Sequence, residues 1–345
     1  MMSTHFLRNR LIYIFIGLVF LMGIFLVVGF GYYLSTPFET EGNEQIFFVR
    51  DGSTLNKVAD DLESKKIITG KPLFLLWARL MGYSRSIKAG EYRLSSSMPP
   101  LKILETLSKG AVITHPITIP EGYTMKQIGE LLEEKGLVYN EEFLAVTGDP
   151  DVAKRYGISG QGLEGYLYPD TYQFGRGLSP VLVVEVMINH FWKEIGPLRE
   201  KIEQSGMTLE EIITLASIVE KETGRAEERP IIASVFLNRL KKKMRLESDP
   251  TVIYGIKDFS GNLKKKHLTQ RTPYNTYVIR GLPPGPIANP GKAAIEAVLF
   301  PAKTNFLYFV SKNDGSHYFS KTLTEHNRAV QKYQKKRRSR RRKTS

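Results

Sequence analysis

The chain has 345 residues, of which 42% are hydrophobic and 24% charged. That is enough for two domains with buried cores, and too apolar for a disordered protein. It contains no cysteine, which excludes a disulfide framework and any thiolate metal site. The net charge of +14 is uneven: Lys335 to Lys343, KKRRSRRRK, holds eight positive charges, leaving +6 for a body that is only moderately basic.

From Leu11 to Leu34 the chain runs 24 residues without a charge. At 1.5 Å per residue such a helix crosses a hydrocarbon core of roughly 30 Å. The run is longer than the roughly 7–15 apolar residues of a signal peptide, and no small-x-small site follows it, so an uncleaved anchor is expected. Arg8 and Arg10 precede the span while Glu39, Glu41 and Glu44 follow it, which keeps residues 1–10 in the cytoplasm and exports everything after Ser35. An inner (cytoplasmic) membrane protein with its bulk outside the cytoplasm has no access to nucleic acid, despite the basic tail.

Residues 35–44, with Pro37 and Gly42, read as a short linker. In IFFVRDGSTLNKVADDLESKKII an alternating apolar strand leads to a turn at Asp51-Gly52. A helix started by Ser53 or Thr54 follows, with Leu55, Val58, Ala59 and Leu62 on one face. Seventy residues later ITIPEGYTMKQIGELLEEKGLV repeats the skeleton: Ile119, Gly122, Thr124, Met125, Ile128 and Leu132 stand for Val49, Gly52, Thr54, Leu55, Val58 and Leu62. The first copy, residues 45–114, carries V-x-x-G-x-T-L-x-x-V-A and resembles a LysM module, the β/α unit that binds N-acetylglucosamine polymers. It lacks the Asn-rich centre of that family, so glycan binder and structural spacer both stand.

Gly160 to Phe174, GQGLEGYLYPDTYQF, is an aromatic-rich segment with Gly and Pro punctuation, which reads either as a loop lining a sugar groove or as core packing. Thr208 and Glu211 form a capping-box pattern ahead of Leu209, Ile212, Ile213, Leu215, Ala216 and Val219 at helical spacing. At about 100° per residue Glu220 falls beside Ile213 and Ala216, inside the apolar stripe, while Thr214 and Lys221 fall opposite. A carboxyl among apolar neighbours resists ionisation and can hold a proton for donation. The alternative is an ion pair at a fraying helix end. A second helix spans residues 227–240, with Pro230 in its first turn and Ile231, Val235, Phe236 and Leu240 expected to be buried. Thr272 to Pro290, TPYNTYVIRGLPPGPIANP, holds too many prolines and glycines for a long helix or a regular strand.

In order after the span, LEGYLYPDTY, ASIVEKET, ASVFLNRL, SDPTVIYG, TPYNTY, GLPPGPIANPG and FPAKTNFLYFV resemble the YceG-like family of endolytic murein transglycosylases, from the anchor to about Tyr333. The resemblance implies cleavage of the β-1,4 bond between N-acetylmuramic acid and N-acetylglucosamine in nascent peptidoglycan, leaving a 1,6-anhydro end. It also implies that the glutamate of SIVEKET, here Glu220, is catalytic. Such a lyase needs one acid/base residue, whereas a water-using glycosidase needs two carboxylates. Asn275 is the candidate for orienting the sugar, with Tyr274 and Tyr277 beside it, and Glu164 and Asp249 are candidate supporting or substrate-binding carboxylates. Glu222, two residues along the helix, faces elsewhere and reads as an ion-pair partner. The six histidines form no HExxH pair and no Walker loop occurs, so no metal or cofactor is expected.

The implied partners are glycan strands and the synthases that make them. The expected fold class is α+β: a single transmembrane helix (11–34), the LysM-like module, and a mixed catalytic domain (115–333). The basic tail (334–345) reads as solvated and disordered, or as a contact for anionic lipid or wall polymer.

Overall fold

The charge-free run forms most of one long helix, α1 (Ser3–Ser35), in the computed structural model, which describes residues 3–83, 86–257, 259 and 261–335. Within α1, Ile12–Ser35 is long and apolar enough to cross a membrane. The basic tail from Lys336 onward lies outside the described residues. The fold is mixed α+β, mostly helical, with strands paired in twos, and the chain divides into two compact units.

The first unit comprises the chain up to His115 together with Phe174–Leu178. After α1 come β1 (Glu44–Val49), α2 (Leu55–Ser64), α3 (Lys71–Leu80), β2 (Gly90–Ser95) and α4 (Pro100–Lys109). β1 and β2 pair antiparallel, from Glu44 opposite Ser95 to Val49 opposite Gly90. The inward residues of β1, Phe47 and Val49, meet Val58 and Leu62 of α2, Phe74 of α3 and Ile103 of α4 in one core. Thr54 caps α2 by accepting the Lys57 N–H. Residues 35–44, read as a short linker, are held in place by hydrogen bonds. The Glu39 N–H donates to the Ser96 carbonyl, the Ser96 hydroxyl to the Glu39 carboxylate, and the Ser95 hydroxyl to the Gly42 carbonyl, so the segment is strapped to the end of β2.

The second unit comprises Pro116–Gln173 and the chain from Ser179. Its elements in order are β3 (Thr114–Thr118, entered from the first unit), α5 (Met125–Glu134), α6 (Asn140–Thr147), α7 (Pro150–Arg155), β4 (Thr171–Gly175), α8 (Pro180–Ile195) and α9 (Arg199–Gln204). Then follow α10 (Leu209–Glu222), α11 (Arg229–Lys241), α12 (Asp249–Tyr254), α13 (Lys265–Thr269), α14 (Lys292–Leu299), β5 (Tyr308–Ser311), β6 (His317–Ser320) and α15 (Leu323–Val330). β3 pairs with β4, and β5 with β6. The 70-residue repeat in the sequence is a repeat in structure. Thr124 caps α5 as Thr54 caps α2, and Glu133 accepts the Asn140 N–H ahead of α6 as Glu63 accepts the Lys71 N–H ahead of α3.

The helix α10 starts as its sequence dictates: Thr208 and Glu211 close both bonds of a capping box. It differs from the amphipathic helix expected, because every residue from Ile212 to Val219 is buried, Thr214 included. α11 and α14 pack on it, and the Ser217 hydroxyl donates to the Thr214 carbonyl and accepts the Ile287 N–H, so its polar face is buried and satisfied. Burial of Ile212, Ile213, Leu215, Ile218 and Val219 stabilises the unit by about 1.5–3 kcal/mol each. In α11 the inward set is Ile232, Ala233, Val235 and Phe236, and Ile231 and Leu240 are only half-buried. Arg239 takes the space beside them, donating to the carbonyls of Leu246 and Leu307.

Candidate active site

Only six residues separate the last residue of α10 from the first of α11, so Arg229 returns over the final turn of α10. There it meets Glu220, whose side chain is 6% exposed. Glu220 Oε1 accepts from Arg229 Nη2 at 2.9 Å, and Oε2 accepts from the Gly291 N–H at 3.1 Å. Gly291 is the N-cap of α14, whose positive end favours a negative group. The same Arg229 Nη2 lies 3.3 Å from Glu121 Oε2, and the Glu121 side chain is 46% exposed. A carboxylate, a guanidinium and a second carboxylate thus run from the interior to the surface.

Burial pushes the Glu220 carboxyl above its ordinary range, and the Arg229 charge and the Gly291 N–H oppose this without cancelling it. The Glu121 charge adds a further upward push. The site is closed by small residues. Gly122 has φ +77°, and a Cβ there would lie 3.4 Å from the Glu220 side chain. A Cβ on Gly291 would collide with the Glu121 carboxylate. Lys221 Nζ donates to the Gly122 carbonyl at 3.0 Å, tying that turn to α10.

Asn289 fixes this geometry from behind. Its Oδ1 accepts the N–H groups of Gly165 and Leu167, and its Nδ2 donates to the Tyr123 carbonyl and to Glu164 Oε1. Its backbone N–H donates to Tyr123 and its carbonyl accepts from Gly122. Only Pro290 separates it from Gly291, so one buried side chain registers the Gly122 turn, the 165–167 loop and the donor to Glu220. Glu164 completes the network, accepting from the Met125 N–H and the Tyr254 hydroxyl.

Burial drives the Glu164 carboxyl up to about 8, from an ordinary value of 4.5. Between those values the folded state holds a proton that the unfolded state has lost, so stability falls as pH rises from about 4.5 to about 8. At full effect that slope is about 1.4 kcal/mol per pH unit. Glu164→Gln mimics the protonated form, and its melting temperature is expected to decline less than the wild type's between about pH 5 and 8. Equal declines in thermal melts would show that Glu164 does not carry the effect.

The remaining candidates lie in other places. Asn275 is fully buried, and its amide donates to the carbonyls of His267, Leu268 and Gln270, so the side chain is committed to shaping the 267–277 loop. Tyr274 packs against Tyr254 at 4.8 Å, beside Glu164. The Tyr277 hydroxyl donates to exposed Asp249 at 2.7 Å. None of these five candidates hydrogen-bonds to Glu220. Glu222 faces away from Glu220, and among the described residues no ion pair is made to it: it accepts the Ser248 hydroxyl at 2.5 Å, and burial pushes it up to about 7 against the charge of Arg239. In the aromatic segment Leu163, Tyr166, Leu167, Tyr168, Tyr172 and Phe174 are buried, which favours the core-packing reading over a sugar-lining loop. A cavity of about 640 Å³ opens between Met207, Leu237, Leu240 and Pro283, at the end of α10 away from Glu220.

The YceG-like family model matches residues 47–332. This chain belongs to the YceG-like family. It is 32% identical over 321 residues to a protein of Bacillus subtilis (strain 168) named endolytic murein transglycosylase, covering 88% of this chain and 89% of that one. It is 29% identical to the protein of the same name from Streptococcus pneumoniae serotype 2, over 92% of this chain and 63% of that longer protein. A YceG-like protein of Listeria monocytogenes solved by crystallography is 34% identical and superposes with a TM-score of 0.58, covering 84% of this chain and all of that one.

The YceG-like motifs point to Glu220, but the residues that hold it come from other segments. Glu121 is the acidic residue of a P-E-G turn, at the position where the first copy has Asp51. Arg229 stands beside Pro230 at a helix start. Both have ordinary local explanations. The one available signal is that a glutamate replaces the expected Asp or Asn of a turn ahead of a buried Gly122.

Proposed function

We propose that this YceG-like protein is a membrane-anchored lytic transglycosylase that cleaves the β-1,4 bond between N-acetylmuramic acid and N-acetylglucosamine within peptidoglycan strands. The observation that carries this reading is the Glu220 carboxyl, buried and raised in pKa yet linked through Arg229 to the exposed Glu121. Protonated Glu220 gives its proton to the glycosidic oxygen as the bond from C1 breaks. The Glu220 carboxylate then takes the proton of the C6 hydroxyl, and O6 closes onto C1. No water is consumed and one residue serves both steps. Asn289, Gly122 and Gly291 hold the carboxyl in place, Arg229 stabilises its charged form, and Asn275 shapes the 267–277 loop.

A second reading comes from Glu121. Two carboxylates on one guanidinium nitrogen are close enough to act as a hydrolytic pair, one as acid and the other on water or C1. Mass spectrometry of purified glycan strands incubated with the protein separates the two. The lyase releases fragments ending in 1,6-anhydro-N-acetylmuramic acid, each lighter by one water than the reducing-end fragments of a hydrolase. Reducing ends alone would replace the first reading with the second.

The first unit, with its strand-helix-helix-strand order and antiparallel β1–β2 pair, supports the LysM-like reading of residues 45–114. An anchor is favoured over a signal sequence because α1 continues into contacts with that unit: Leu34 is buried and the Tyr33 hydroxyl donates to the Thr69 carbonyl at 2.5 Å. A site covalently tied to such an anchor works on strands newly made at the membrane, beside the synthases.

A further inference from the structure

The helix α3, KPLFLLWARL, is apolar around most of its circumference, yet only one side of it reaches the core. Phe74, Leu75 and Ala78 are buried. At about 100° per residue Leu73, Leu76 and Leu80 form a separate stripe. They are 40%, 47% and 66% exposed, and Met81 continues the stripe at 48%. A helix that is hydrophobic outside as well as inside is expected where a second apolar medium meets it.

Contacts with α1 indicate which medium that is. At its start, α3 lies beside Tyr33, whose hydroxyl donates to the carbonyls of Thr69 and Gly70. Two turns on, Trp77 packs edge-on against Phe30 at 5.7 Å. Phe30 is three residues deeper in the apolar run than Tyr33, about 4.5 Å along the helix axis. As α3 proceeds, it therefore steps down α1 toward the part of the chain that would cross the bilayer. Trp77 is only partly buried and sits at the edge of the exposed stripe, so that stripe is continuous with the lipid-facing surface of α1. Arg79, on the flank, donates to Asn56 of α2 and is held on the water side.

We propose that α3 is an interfacial helix: Leu73, Leu76, Leu80 and Met81 enter the hydrocarbon boundary of the outer leaflet and hold the first unit against the bilayer surface. This rests on reading α1 as an anchor. The device fits the strapped 35–44 segment, which gives the unit no slack from which to lift away.

The absence of native cysteine makes the test direct. Single variants Leu80→Cys, Leu21→Cys within α1 and Lys57→Cys on the exposed side of α2 are nitroxide-labelled in the full chain. Each is reconstituted in phosphatidylethanolamine/phosphatidylglycerol vesicles and probed by power-saturation electron paramagnetic resonance. At positions 80 and 21, collisions with oxygen are expected to exceed those with a water-soluble nickel chelate, and position 57 is expected to show the reverse. A water signature at 80 with a membrane signature at 21 overturns the proposal and leaves the anchor standing. Low access to both reagents at 80 also overturns it, in favour of a protein partner or second copy covering α3. A water signature at both 80 and 21 removes the anchor reading and this proposal together.

Discussion

Glu220→Gln is expected to cut the release of anhydro-ended fragments by about 10²–10⁴-fold, the usual contribution of a positioned acid/base residue. The amide keeps the shape, but Glu220 accepts from Arg229 on Oε1 and from the Gly291 N–H on Oε2, and the single oxygen of Gln can accept from only one of them. The loss is about 1–3 kcal/mol, which the fold should survive. The amide cannot give up a proton to the leaving oxygen or take one from the C6 hydroxyl, and both steps of the proposed reaction fail together. Glu222→Gln is the matched control. It changes a carboxyl two residues away that is bonded to Ser248 and removed from the Arg229 contact, and activity should remain. Product analysis of the two purified variants, with circular dichroism to confirm folding, checks the claim. A Glu220→Gln protein that still makes anhydro ends at wild-type rate would exclude Glu220 as the acid.

What the sequence made legible follows the range of the interactions involved. The two strand-turn-helix copies, the Thr208–Glu211 cap and the irregular 272–290 segment depend on local propensity, and each appears where the pattern places it. The inward direction of Glu220 could be read because helical periodicity is local too. Periodicity could not show that α10 is buried on every side, since that depends on α11, α14 and the 286–291 loop arriving around it. The partners of Glu220 were hidden for the same reason. Glu121 lies 99 residues before it and Gly291 71 residues after it, and no local pattern links them. Asn275 shows the converse limit. A polar residue amid Pro and Gly looks like a ligand-facing group, but an irregular buried loop leaves carbonyls unpaired, and an amide is well suited to satisfy them.

Arg229 offers the sharpest test of the electrostatics, because its charge and its hydrogen bond both hold the Glu220 carboxyl down against the effect of burial. Arg229→Met removes that restraint while Glu121 remains as a like charge nearby. The Glu220 pKa should therefore rise further, because the opposite charge that favours its ionised form is gone. A reaction that needs the acid protonated loses rate as pH rises through that pKa, so the alkaline limb of the activity profile should move to higher pH. Peak activity should fall, since a carboxyl whose anion has lost its counter-charge gives its proton to the leaving oxygen less readily. Arg229→Lys keeps a cation but not the planar guanidinium whose Nη2 serves both carboxylates, so its limb should lie nearer the wild type's. A merely structural arginine would lower the whole profile without displacing it along the pH axis. An unmoved or acid-shifted limb in Arg229→Met, measured on purified glycan strands, would therefore break the link between Arg229 and the proton on Glu220.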